Sequence, residues 1–218
     1  MDPNDFVASL DTLVDAALAR IGAASAAGSP APELTVTRLL RVALRNEIEA
    51  AEEAAVWLVL ERDTDVKLGL MRQCGDEAKH YRLIEARLRA LGDDLRGFDP
   101  LGQGYTPMFD FLRALPTTIE RIAAGPFARE ALAEVRNRVF IEHLESLGDH
   151  ETARLYRDEI QPDETHHHAF GRRVLLRLAV SDEAQRLARE AATRTLALAE
   201  ELQEIARLKQ GICRAPGC

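Results

Sequence analysis

Apolar residues recur every three or four positions along nearly the whole chain, and no run alternates apolar and polar for long enough to read as a strand. The pattern predicts a first helix from about Pro3 to Ala24, followed by the breaker Gly28-Ser29-Pro30-Ala31-Pro32. A long helix is expected over Leu34–Glu61, a polar turn at Arg62-Asp63-Thr64-Asp65, and a second long helix over Val66–Leu91 that stops at Gly92. From Gly92 to Gly125 the chain is richer in Gly and Pro, with one short amphipathic piece near Met108–Ala123. Another long pair is predicted at Pro126–Leu147 and Glu151–Val180, broken at Gly148-Asp149. A last helix runs from Ser181, a good N-cap, to about Gln210. The expected fold class is all-α: a four-helix bundle made of two hairpins joined by a long crossover, with extra helices at both ends. The chain divides accordingly into residues 1–33, an N-terminal helix and linker; 34–180, the bundle; and 181–218, a terminal helix and a cysteine-containing tail.

Carboxylates interrupt the apolar stripes. Asp76-Glu77-Ala78-Lys79-His80 and Asp163-Glu164-Thr165-His166-His167 each supply Glu-x-x-His, whose side chains share one helix face. The two motifs are 87 residues apart, and the same step from Glu47 lands on Glu134. At ~1.5 Å per residue, Glu47 and Glu77 stand level in the first hairpin to within ~3 Å, as do Glu134 and Glu164 in the second. At 100° per residue, Glu47 lies in line with Leu40, Ala43, Ala51 and Leu58, Glu77 with Leu70, Cys74 and Ile84, and Glu164 with Ile160 and Leu175. Glu49, Glu52 and Glu53 fall on the opposite face with Arg38, Arg41 and Arg45, where ion pairs and solvent account for them. A carboxylate aimed into an apolar core costs several kcal/mol unless compensated, and a pair of metal ions would compensate several at once. Glu134 sits at the margin of its apolar face. Glu142 is nearer the centre of that face but misfits by ~15 Å along the axis, which leaves it as an extra polar residue near the site.

The residues Glu47, Glu77-x-x-His80, Glu134 and Glu164-x-x-His167 resemble the pattern of the ferritin-like di-iron carboxylate superfamily over roughly Leu34–Val180. That resemblance implies a ferritin-like bundle with Glu47, Glu77, His80, Glu134, Glu164 and His167 as metal ligands. It implies two iron ions as cofactor, with manganese or a mixed Mn/Fe pair as alternatives. The implied chemistry is activation of dioxygen or peroxide to oxidise or hydroxylate an organic substrate. A ferroxidase or iron-handling protein would share every ligand, and a non-catalytic helical interaction module is the third reading. His168 and Tyr81 are candidates for residues beside the metals, with ordinary hydrogen bonding and packing as the competing explanations.

Charge and composition narrow the partners. A net charge of −8 over 218 residues argues against a dominant interaction with nucleic acid or an anionic membrane. The longest uncharged stretches fall short of the ~20 apolar residues of a membrane span. The acidic start Met1-Asp2-Pro3-Asn4-Asp5 is unlike a signal peptide, so a cytoplasmic protein is expected. The expected partners are a small-molecule substrate and dioxygen, with a homodimer compatible with the terminal helices. Carboxylate and imidazole donors suit iron or manganese. Cys74 reads as a core residue, whereas Cys213 and Cys218 lack the second ligand pair of a zinc site.

Overall fold

The computed structural model describes residues 1–27, 35–212 and 215–217. The breaker Gly28–Pro32, Leu34, Cys213 and Cys218 lie outside the described residues, which contain no strand. Helix α1 (Pro3–Ala27) is followed by α2 (Val36–Leu60) and α3 (Thr64–Ala90), which form a hairpin around Glu61–Asp63. Asp63 caps α3 by accepting from the backbone N–H groups of Asp65 and Val66 at 3.0 and 3.1 Å. Residues 91–117 connect to the second half and include the short α4 (Pro107–Arg113).

The third rod is longer than its periodicity predicts. It begins with α5 (Thr118–Ile122), set by a capping box between Thr117 and Glu120. It then passes through a π-helical segment (Ala123–Arg129) into α6 (Glu130–Ser146). Pro126, expected to start a helix, therefore lies inside one. The wider π turn accommodates a residue that has no N–H to donate and would clash in a regular helix. After the turn at Gly148 (φ +78°), the fourth rod repeats the device: α7 (His150–Leu155), a π segment (Tyr156–Ile160) and α8 (Gln161–Leu178), with Pro162 in its first turn. Helix α9 (Asp182–Gln210) is capped by Ser181, as expected, and ends at Gly211 in the left-handed region.

Helix α2 packs along α3, α6 on α8, and α3 on α8, while α1 and α9 pair and close over the first π segment and α8. No helix among the described residues is long and apolar enough to cross a membrane. The apolar interior falls into two clusters. One holds Phe6, Leu10, Trp57, Leu70, Phe127 and Phe170; the other holds Leu40, Leu44, Ile84, Phe140, Tyr156 and Ile160. On every one of the four rods a buried glutamate stands between the two: Glu47, Glu77, Glu130 and Glu164. The core is therefore split by a polar layer.

Candidate metal centre

Six side chains from α2, α3, α6 and α8 meet in that layer. Glu47, Glu77, His80 and Glu164 form one group, and Glu77, Glu130, Glu164 and His167 a second, with the ligand atoms of each within 4.8 Å of one another. Glu77 and Glu164 belong to both groups. His80 points Nδ1 inward, 3.2 Å from Glu77 Oε2, 3.3 Å from Glu47 Oε2 and 3.9 Å from Glu164 Oε1. His167 does the same, with Nδ1 3.5 Å from Glu77, 3.7 Å from Glu164 and 3.8 Å from Glu130. All six residues are at most 3% exposed.

The outward ring nitrogens are held crosswise. His80 Nε2 donates to Asp163 Oδ2 at 3.2 Å, and His167 Nε2 donates to Asp76 Oδ2 at 3.0 Å. The aspartate preceding each motif's glutamate thus orients the histidine of the other motif and keeps its Nδ1 facing inward. Arg72 at 3.2 Å from Asp76 and Lys79 at 2.5 Å from Asp163 supply countercharge at the surface. Burial would raise both aspartates, but His167 and Arg72 hold Asp76 below the usual carboxylate range, and Lys79 and His80 hold Asp163 below it.

Inside the layer, burial pushes Glu47 up to about 7. Burial and the charges of Glu77 and Glu130 push Glu164 well above its ordinary value. Burial acts on Glu130 too, but the imidazole of His167 beside it holds it down to about 2. Desolvation opposes protonation of His80, yet Glu47 and Glu77 drive it up to about 12, and His167 rises likewise under Asp76 and Glu130. In metal-free form the acidic layer is thus neutralised by protons. Even so, Glu77 Oε1, Glu164 Oε2 and His167 Nδ1 are buried with no hydrogen-bond partner among the described residues. These three atoms face one another, with His167 Nδ1 3.5 Å from Glu77 Oε1 and 3.7 Å from Glu164 Oε2, charge-paired but too far apart to satisfy one another by hydrogen bonds. Carboxylates and imidazoles without thiolates form a donor set that could hold a metal ion.

Five of the six expected ligands meet here, and Glu134 does not. It is half-buried on α6, and its backbone carbonyl accepts from Gln161 Nε2 at 3.1 Å. Glu130, one turn earlier, takes the place, with Gln73 Nε2 donating to its Oε1 at 2.6 Å. The 87-residue repeat misleads because the second hairpin holds more chain: Glu130 to Glu164 is 34 residues, Glu47 to Glu77 only 30. Part of the excess is absorbed by the π segment at Tyr156–Ile160. Facing could have found Glu130, since it lies in line with Phe127, Asn137, Ile141 and Leu144. Glu142 is exposed and stands apart from the layer.

The opposite face of α2 is also not the solvated face its charges suggest. Glu49 and Glu53 are buried. Glu49 accepts from the Thr106 N–H at 2.9 Å and its hydroxyl at 2.5 Å, and Glu53 pairs with the buried Arg129. His168 donates from Nδ1 to the Phe127 carbonyl at 2.7 Å and stacks on the Phe127 ring, outside both groups. Tyr81 is half-buried against the second apolar cluster, with Arg82 over its ring, and burial together with the charge of Glu85 pushes its phenol up. Tyr156 went unnoticed: it is fully buried, its hydroxyl has no partner among the described residues, and burial plus the charges of Glu47 and Glu164 raise it well above 10. Its position two turns before Glu164 on the same stripe was the available signal. Cys74 is half-buried rather than core.

Comparison with models of protein families, with curated proteins and with solved structures finds no match to this chain.

Proposed function

We propose that Glu47, Glu77, His80, Glu130, Glu164 and His167 hold two metal ions, iron foremost, and that the protein is a ferritin-like di-metal oxidoreductase acting on an organic substrate with dioxygen or peroxide. The observation that carries this reading is the buried layer itself: four carboxylates and two inward imidazole nitrogens, with three polar atoms that make no hydrogen bond among the described residues. The long connection at residues 91–117 between two helical hairpins is the topology a ferritin-like bundle requires.

A bound ferrous pair would supply the two electrons that dioxygen reduction consumes. The chain's own contribution is positional. Glu77 and Glu164 reach both groups, so they would be shared by the ions, while Glu47 and Glu130 each serve one. Asp76 and Asp163 keep each imidazole presenting its Nδ1. The two apolar clusters exclude water from above and below the layer.

Anaerobic loading with Fe(II), desalting and admission of oxygen would test the reading by metal analysis. About two irons per chain, unchanged by oxygen, is the expected result. Iron accumulating far beyond that as oxide would replace the oxidase with a ferroxidase, and less than one iron per chain would overturn the metal centre.

A further inference from the structure

A cavity of about 890 Å³ opens between α2, residues 96–109, α9 and the segment that contains Ala215 and Pro216. That volume is in the range of small-molecule sites. The cavity stops just short of the buried layer. On α2 its wall takes in Asn46 and Glu49 but not Glu47, which is 3% exposed. Gly217 stands in the way: a side chain there would begin 3.6 Å from Glu47 Oε1 and 3.6 Å from Asn46 Nδ2. Pro216 and Gly217 are themselves buried, so a thin wall of chain separates the cavity from the first carboxylate.

A single peptide unit fastens this wall across the bundle. The Pro216 carbonyl accepts from Asn46 Nδ2 on α2 at 3.1 Å. The N–H of the same peptide, that of Gly217, donates to Asn137 Oδ1 on α6 at 2.9 Å. Ile212 anchors the chain upstream in the second apolar cluster, and Ala215 rests against that cluster. Gly217 sits at φ +78°, a conformation that glycine adopts freely and a β-branched residue does not.

The hold on Pro216 and Gly217 is light. Hydrogen bonds between neutral amides add little net stability, because opening exchanges each for one with water. Ala215 and Pro216 present one side to the cavity rather than to packed core. The closed arrangement also carries a cost: Asn137 Nδ2 is buried with no hydrogen-bond partner among the described residues. Opening relieves that cost by admitting water or the acceptor of an entering molecule.

We infer that Ala215–Gly217 is a displaceable strap over Glu47, and that its departure joins the cavity to the carboxylate layer, making the cavity the route by which small molecules reach that layer. The movement is local, with Ile212 staying in its cluster while the strap swings out. The place it vacates presents the side-chain amides of Asn46 and Asn137 beside Glu47, two donors and an acceptor for whatever enters. The inference rests on the proposed function for its catalytic meaning but not for the opening, which is therefore tested on metal-free protein.

Labelling with a water-soluble carbodiimide and glycine ethyl ester, read by peptide mass spectrometry, measures access to Glu47 against the exposed Asp99 of the cavity wall. In the wild type Glu47 should label far more slowly than Asp99. Asn46→Ala removes one fastening and should speed Glu47 labelling about two- to tenfold. Gly217→Val, which the left-handed backbone rejects, should speed it about tenfold or more, with helical circular dichroism unchanged in both variants. Glu61, buried at the far end of α2, should label no faster in either. Glu47 labelled as fast as Asp99 in the wild type, equal Glu47 rates in wild type and variants, or a parallel rise at Glu61 would each overturn the inference. If Gly217→Val loses helix, Asn46→Ala decides alone. Glu47 opened in protein that takes up no iron would remove the metal centre and leave the strap standing; iron uptake with Glu47 equally closed in every variant would do the reverse.

Discussion

Without metal, the fold should lose stability as pH rises past neutrality, and with metal it should not. Glu47 and Glu53 are raised by burial from 4.5 to about 7, and burial with the charges of Glu77 and Glu130 raises Glu164 well above its ordinary value. His80, against desolvation, is raised from 6.5 to about 12 by Glu47 and Glu77, and His167 moves the same way. A group with a raised folded-state value contributes stability that is complete below its unfolded value and is lost as pH climbs through the folded one. For the two glutamates that window opens at 4.5 and closes near 7; for His80 it opens at 6.5 and closes near 12. Each proton the native state retains after the unfolded chain has released it removes about 1.4 kcal/mol per pH unit. Between pH 7 and 8 the two imidazoles are in that condition, a slope of up to about 3 kcal/mol per pH unit. At roughly 2–4 °C per kcal/mol for a chain of this size, Tm should fall by up to about 6–12 °C per pH unit. Glu130, held at about 2, has the opposite sign, but its contribution is lost only as pH falls through that value, outside the window. Metal would replace those protons, so the loaded chain should show a flat or rising Tm. Differential scanning calorimetry of chelated and loaded protein from pH 6.5 to 8.5 measures both slopes. A metal-free Tm that holds or rises across that range, or equal slopes in the two forms, would refute the reasoning.

Glu130→Gln should cut bound iron from about two to about one per chain or less, while Glu134→Gln leaves it unchanged; plasma mass spectrometry of the desalted variants decides, and the reverse pattern would return the ligand to the 87-residue repeat. Asp76→Asn and Asp163→Asn should each weaken metal binding by about 10- to 100-fold in chelator competition, with circular dichroism unaltered. Gly171→Ala places a Cβ 2.6 Å from the Phe127 nitrogen and the Pro126 carbonyl carbon, backbone that a flexible side chain cannot relieve. It should cost about 1–3 kcal/mol and lower Tm by several degrees; an unchanged Tm would show that α8 and the π segment have slack between them.

The long helices and five of the six clustered residues were legible because both rest on period alone. Apolar residues three and four apart define a stripe, and a glutamate inside one, such as Glu47 or Glu77, announces itself by being in the wrong company. Glu130 escaped because counting along the chain assumes one rise per residue, and the π segment at Tyr156–Ile160 breaks that assumption between Glu130 and Glu164. The burial of Glu49 and Glu53 escaped for a different reason. A helical wheel shows which residues share a face, but not that residues 104–107 and Arg129 will come from elsewhere to cover it. Local sequence reports a face's polarity; the chain's long-range path decides whether that face meets water.

The crosswise aspartates show why the structural unit is five residues long rather than four. In Asp-Glu-x-x-His the glutamate and histidine lie on one face and turn inward, while the aspartate is about 100° away and reaches the neighbouring helix. On an isolated helix that position is merely an acidic neighbour. When α3 and α8 pack together, Asp76 meets His167 and Asp163 meets His80, so each motif completes the other. The consequence is that neither motif can orient its histidine alone. Packing of α3 against α8 and assembly of the layer are then a single event, and any substitution that spreads those two helices should loosen both side-chain groups together rather than one.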